Sequence, residues 1–195
     1  TSAKPSEGKS LTAANIAISY AMLGKKVLLI DADMRKPTQR RLWRVEKPTG
    51  LCDFLAKISK LELDKVKDLP LWIVCTGTIP PNPSELLSSE RMKHFVEESA
   101  KVYDYIIIDT PPINTVADAQ IVSTYVDGVV LVVKSGDTTE DELNEAIDAV
   151  RRAGGNLCGT VLNDLNMKSV KYAYKYKYGG KYGYKYSYSE SYEAR

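Results

Sequence analysis

Residues 3–10 read AKPSEGKS, and residues 26–33 read KVLLIDAD. The first stretch fits GxxxxGK[ST] except at its opening position, where Ala3 stands for glycine. The residue types have a physical reason. Gly8 lets the backbone approach an anion, and the N–H groups of Ser6, Glu7, Gly8, Lys9, Ser10 and Leu11 would surround it where a helix begins. Lys9 would neutralise the outer phosphates of a nucleotide, and the Ser10 hydroxyl would ligate Mg²⁺. Such a loop needs a strand before it. Residues 1–2 are too short to supply one, so that strand is expected upstream of Thr1.

Outward from this loop, apolar runs alternate with helical patterns. KVLLIDAD (26–33), LWIVCTG (71–77), YDYIIIDT (103–110), GVVLVVKSG (128–136) and CGTVLND (158–164) are short, rich in β-branched residues and not alternating. They read as strands covered on both faces. Helices are expected over 9–23, 50–58, 84–100, 117–125 and 138–153. Thr138 with Asp141 and Glu142 would start the last of these, and Ser84 would cap the helix after the Pro-rich loop TIPPNPSE (78–85). The fold class is therefore α/β: a doubly wound, mainly parallel sheet flanked by helices.

Two carboxylate groups fall where such a sheet binds ligands, outside the carboxyl ends of its strands. Asp31 and Asp33 end the second strand, and Asp109 ends IIID (106–109). Mg²⁺ needs few protein carboxylates because it keeps waters and phosphate oxygens. One acid is then left to serve as a base.

Composition narrows the function class. The chain has 195 residues, about one domain, with 44% hydrophobic and 27% charged residues. A net charge of +2 carries no nucleic-acid footprint over the whole chain. Cys52, Cys75 and Cys158 show no metal or redox spacing and read as reduced, buried thiols of a cytoplasmic protein. No apolar run approaches a membrane span. Trp43, Trp72, Tyr20, Tyr103, Tyr105 and Tyr125 read as packing residues, and His94, the sole histidine, as a surface residue.

After Asn166 the pattern changes. Residues 168–195 hold six lysines and Arg195 against Glu190 and Glu193, a net +5, with almost no aliphatic residues. Such a segment lacks the apolar surface to offset its ordering entropy, so residues 1–166 read as the folded domain and 167–195 as a flexible tail. Its tyrosines are Tyr172, Tyr174, Tyr176, Tyr178, Tyr182, Tyr184, Tyr186, Tyr188 and Tyr192.

TSAKPSEGKS, VLLIDADMRKP, PPNPSELLSSERM, YDYIIIDTPP and the tyrosine cluster together resemble the bacterial tyrosine kinases of capsule and exopolysaccharide systems. These are a branch of the MinD/ParA-like P-loop ATPases. The resemblance implies an ATP- and Mg²⁺-dependent protein tyrosine kinase that phosphorylates its own tail, mainly between subunits. Lys9 and Ser10 match the Walker A lysine and hydroxyl. Asp31 and Asp33 match the second carboxylate motif, with Asp31 as base and Asp33 in or near the metal shell. Asp109 matches the Walker B acid, Arg35 the motif's basic residue, and Asn163 a position that contacts adenine in relatives. The implied catalytic set is Lys9, Asp31 and Asp33; the metal set is Ser10, Asp33 and Asp109.

The implied partners are copies of the same chain in a ring-like homo-oligomer, a membrane activator of the polysaccharide chain-length-regulator type, separate or fused upstream, and a tyrosine phosphatase. The implied location is cytoplasmic, at the inner face of the cell membrane. No nucleic-acid partner is expected. The alternative is a MinD/ParA-like ATPase acting as a nucleotide-gated positioning switch. Lys4 favours it, standing where those ATPases carry a lysine used across their dimer.

Overall fold

The computed structural model describes residues 1–165, with one compact unit spanning Thr1–Asp164. The tail and its nine tyrosines lie outside the described residues.

The architecture is α/β, with a sheet in two parts. Strands β1 (Val27–Asp31), β3 (Leu71–Val74) and β4 (Tyr105–Asp109) run parallel, and the short β2 (Asp64–Lys65) adds antiparallel to β3, giving the order β2-β3-β1-β4. β5 (Val129–Lys134) and β6 (Leu157–Asn163) form a separate parallel pair. Thr1 and Ser2 run beside β5. The Val132 N–H donates to the Thr1 carbonyl at 2.9 Å, Ser2 makes a single parallel bridge to Val132, and the Ile113 N–H donates to the Ser2 carbonyl at 2.9 Å.

Side chains of β1 alternate between two cores, as the period of two requires. Val27 and Leu29 face helix α1 (Lys9–Met22), whose Ala13, Ala14, Ala17 and Ala21 form a small-residue stripe against the sheet. Leu28 and Ile30 face the other side, packing with Leu51 and Leu55 of α3 (Leu51–Leu55), Leu87 of α4 (Pro83–Ser88), Met92 of α5 (Glu90–Ala100) and Val122 of α6 (Asp118–Ser123). A third cluster joins Leu131 of β5 to Ala146, Ala149 and Val150 of α7 (Glu140–Arg152). Coverage on both faces explains the unbroken apolar run of β1.

Several expectations are corrected. The helix expected over 84–100 is two helices, because Ser89 is extended and caps α5 through its side chain, which accepts from the Met92 N–H. Asn82 is the N-cap of α4, and Ser84 donates instead to Asp118 Oδ1 at 2.6 Å. Helix α7 is capped by Thr139, which exchanges hydrogen bonds with Glu142, while the Thr138 hydroxyl is drawn to Glu7. β6 alternates half-buried and exposed residues, as a strand covered on one face does, and Cys158 on it is exposed. Cys52 and Cys75 are buried, and burial pushes both thiols up to about 12. Helix α2 (Gln39–Trp43) was not anticipated.

Candidate active site

The N-terminus of α1 is open to an anion. Gly8 is its N-cap at φ 87°, no side chain caps it, and its first turn holds no acid. The first turn of a helix leaves its N–H groups without intrahelical acceptors. Ser6 is also left-handed, at φ 66°. Left-handed residues around Glu7 are the conformation that curls successive N–H groups into a concavity. Ala3, where a glycine was expected, is 1% exposed and packs beside Ile113, Ala119 and Leu131, so its methyl fills core. Leu11 is exposed on the first turn.

Gly8 has a second constraint. A Cβ there would lie 2.1 Å from Asn163 Nδ2. Asn163, the last residue of β6, donates through that nitrogen to the Glu7 carbonyl at 3.0 Å. Gly8→Ala is expected to weaken nucleotide binding at least about tenfold, since the left-handed backbone alone costs a side-chain-bearing residue about 1–2 kcal/mol. Titration with a fluorescent ADP measures it, and adding Asn163→Ala should restore the steric part alone.

Three carboxylates and the loop lysine converge. Lys9 Nζ donates to Asp33 Oδ2 at 2.9 Å and lies 3.7 Å from Asp109 Oδ1 and 3.2 Å from Ser10 Oγ. Asp31 is wholly buried. Its Oδ2 accepts from the N–H groups of Thr38 (3.1 Å) and Gln39 (2.9 Å), and its Oδ1 from that of Asp33 (3.3 Å). Burial, reinforced by the negative charge of Asp109, pushes its carboxyl up to about 7 against the opposing pull of the Gln39 N–H. Asp33 Oδ1 accepts from the N–H groups of Arg35 and Lys36.

These residues fit a hydrated divalent cation. Asp109 Oδ1 is buried and has no hydrogen-bond partner, the condition of an acceptor awaiting a ligand. Among the described residues no three His, Cys, Asp or Glu side chains cluster as a metal cage. Mg²⁺ suits such a site, because it retains waters and phosphate oxygens.

Sequence reasoning missed Gln39, Asp118 and Asp137 in this region. Gln39 is fully buried beside Asp109. Arg35 lies outside the carboxylate group: its guanidinium holds the buried Asp118 through Nε (2.8 Å) and Nη2 (3.1 Å), and Nη2 also reaches Ser84 Oγ at 3.2 Å. The RKP motif and the Pro-rich loop are thus one network. The loop's other wall is tied to the start of α7. The buried Glu7 carboxylate accepts from the Lys4 N–H (2.9 Å) and from the Thr138 hydroxyl. Lys4 Nζ pairs with Glu142 at 3.1 Å and Asp137 at 3.6 Å within its own chain.

A family model described as an AAA domain matches residues 2–156. The tyrosine-protein kinase YwqD of Bacillus subtilis (strain 168) is 45% identical over 177 residues, covering 89% of this chain and 75% of that protein. The chain belongs to the bacterial tyrosine-kinase family. Among solved structures of this family, the chimerical protein CapA2B2 is 39% identical, with a TM-score of 0.82 over 85% of this chain and 74% of that one. The septum site-determining protein MinD of Pyrococcus horikoshii OT3, complexed with Mg-ADP, shares the fold at 21% identity, with a TM-score of 0.69 over 83% and 67% of the two chains. As a member of the bacterial tyrosine-kinase family the chain is a P-loop α/β protein, and among its described residues no helix is long and apolar enough to cross a membrane.

Proposed function

We propose that this chain is an ATP- and Mg²⁺-dependent protein tyrosine kinase whose acceptors are its own C-terminal tyrosines, from Tyr172 to Tyr192, reached mainly from a neighbouring subunit. One observation carries the reading: the α1 N-terminus, Lys9 and three buried carboxylates converge at the carboxyl end of the sheet. Phosphoryl transfer asks a protein mainly for positioning and charge neutralisation. The loop N–H groups and Lys9 would hold the nucleotide phosphates, and Asn163 would hold the loop at its outer side. A hydrated Mg²⁺ beside Ser10, Asp33 and Asp109 would supply further neutralisation of phosphate charge. Asp33 and Asp109, close to Lys9, suit that role. Asp31, with a carboxyl raised to about 7, is suited to take the phenolic proton near neutral pH.

The tail's 28 residues from 168 span roughly 90 Å extended or about 30 Å as a coil, so reach does not restrict it to its own site. Its net +5 would be cancelled by roughly three phosphotyrosines at about −1.5 to −2 each, and further ones would release it from an acidic neighbour. The resemblance supports capsule or exopolysaccharide synthesis as the process controlled, with a chain-length-regulator-type membrane activator at the inner face of the cell membrane and an opposing phosphatase. Lys4 weighs against the positioning-ATPase alternative, because its ammonium is committed to Glu142 and Asp137 of the same chain.

Incubation with Mg-ATP followed by mass spectrometry of the tail tests the activity. Free phosphate release without tail phosphotyrosine would replace the kinase by the ATPase. Mixing a Lys9→Met chain with an active chain ending at residue 166 tests the geometry. An unmodified Lys9→Met tail refutes transfer between subunits.

A further inference from the structure

We propose that Gln39 is a positioning residue that sets the spacing of Ser10 and Asp109, and so prepares the metal end of the nucleotide site. The inference rests on the nucleotide-binding reading above. Gln39 Nε2 donates one hydrogen to the Ser10 carbonyl and the other to Asp109 Oδ2, both at 2.9 Å. Ser10 lies in the first turn of α1, and Asp109 ends β4, 99 positions along the chain. A single nitrogen with two hydrogens therefore joins the two protein groups that flank the metal position.

The orientation of this amide is fixed by chemistry. Gln39 Oε1 accepts from the Trp43 indole N–H at 3.0 Å, one helical turn further along α2. Turning the amide over would set its oxygen against a carbonyl and a carboxylate, and its NH₂ against an indole N–H. All three new contacts would be repulsive. Trp43 thus acts as a guard on the orientation. Full burial of Gln39 makes each of these hydrogen bonds costly to lose.

The pattern selects one oxygen of Asp109 over the other. Oδ2 is engaged by Gln39, which leaves the buried Oδ1, without a hydrogen-bond partner, as the atom presented towards Lys9. Gln39 also reports on the neighbouring acid, because its backbone N–H donates to Asp31 Oδ2. A side chain that aims a ligand in this way typically changes metal affinity about 10–100-fold when removed.

The test compares ADP binding with and without Mg²⁺ in the full chain, using a fluorescent ADP. The quantity read is the gain in affinity that Mg²⁺ confers. Gln39→Met keeps the length and removes both donors. It is expected to reduce that gain about tenfold or more while leaving Mg²⁺-free binding within about twofold. Trp43→Phe removes the orientation guard alone and is expected to reduce the gain by a smaller factor. Gln39→Glu sets a carboxylate against Asp109 and should reduce it most.

An unchanged gain in the folded Gln39→Met chain overturns the proposal. So does a parallel loss of binding with and without Mg²⁺, which marks a merely structural residue. Should Gln39→Met fail to fold, Trp43→Phe decides, and an unchanged gain there overturns the proposal. A parent chain that binds no ADP overturns the nucleotide-site reading and this inference together; a parent with a normal Mg²⁺ gain and unaffected variants overturns this inference alone.

Discussion

Lys9→Met is expected to slow phosphoryl transfer by about a thousandfold, or about 4 kcal/mol of barrier. Methionine preserves the length and apolar stem of lysine and removes the ammonium. That ammonium is 2.9 Å from Asp33 and 3.7 Å from Asp109, and the side chain is 11% exposed, so water screens it poorly. Its loss withdraws a positive charge from the phosphates and leaves two carboxylates facing the same space uncompensated. Both effects oppose binding and transfer of a polyanion. Lys9→Arg should not restore the rate, because a planar guanidinium fork does not replace a compact ammonium in a closed loop. Transfer of labelled phosphate to a tyrosine acceptor, with thermal unfolding as a control for the fold, measures the effect. A Lys9→Met rate within tenfold of the parent would remove Lys9 from the chemistry.

The second large effect is a pH dependence of stability. The Asp31 carboxyl is raised from 3.8 to about 7, chiefly by burial and then by the charge of Asp109. The folded chain therefore binds this proton more tightly than the unfolded chain. The resulting stabilisation is complete below the unfolded value near 4 and is lost as pH rises through about 7. Asp31→Asn removes the titration and keeps the shape. Between pH 5 and pH 8 the nucleotide- and Mg²⁺-free parent should lose about 3 kcal/mol relative to Asp31→Asn, about two pH units at 1.36 kcal/mol each. Urea unfolding across that range checks it, and parallel pH profiles for the two chains would exclude Asp31 as the titrating group.

Much of this fold is written in local patterns. VLLID lies in a central strand and IIID in the strand beside it, each with an unbroken apolar run, and the loop at 3–10 carries its own spacing. The parts that escaped sequence reading depend on distant partners. Helix α2 has five residues, too few for a periodic signal, and its first N–H groups are held by Asp31. Gln39 gains its place from Asp109, 70 positions away, a relation that no window of sequence displays. The glutamine–tryptophan pair at i and i+4 was the local trace of it. Ser84 looked like a cap because it follows a proline, yet its hydroxyl is drawn to Asp118 of a different helix. For the site, residue types and spacing named the carboxylates. Which of them is enclosed, and which is left with a free oxygen, is decided by packing.

The sheet is divided. β1, β3 and β4 share a ladder and two cores, whereas β5 and β6 hold to one another; Ser2 stands between the two groups, bridged to Val132 of β5 and accepting from the Ile113 N–H on the segment that follows β4. The phosphate loop starts at that seam and is tied across it by Glu7 with Thr138 and by Asn163 with the Glu7 carbonyl. The loop thus adds to the core that joins the two halves, where Ile113 and Ala119 pack with Leu131 and Ala146. A ligand bound there would act as a rivet between the two parts of the sheet, raising the cost of opening one without the other.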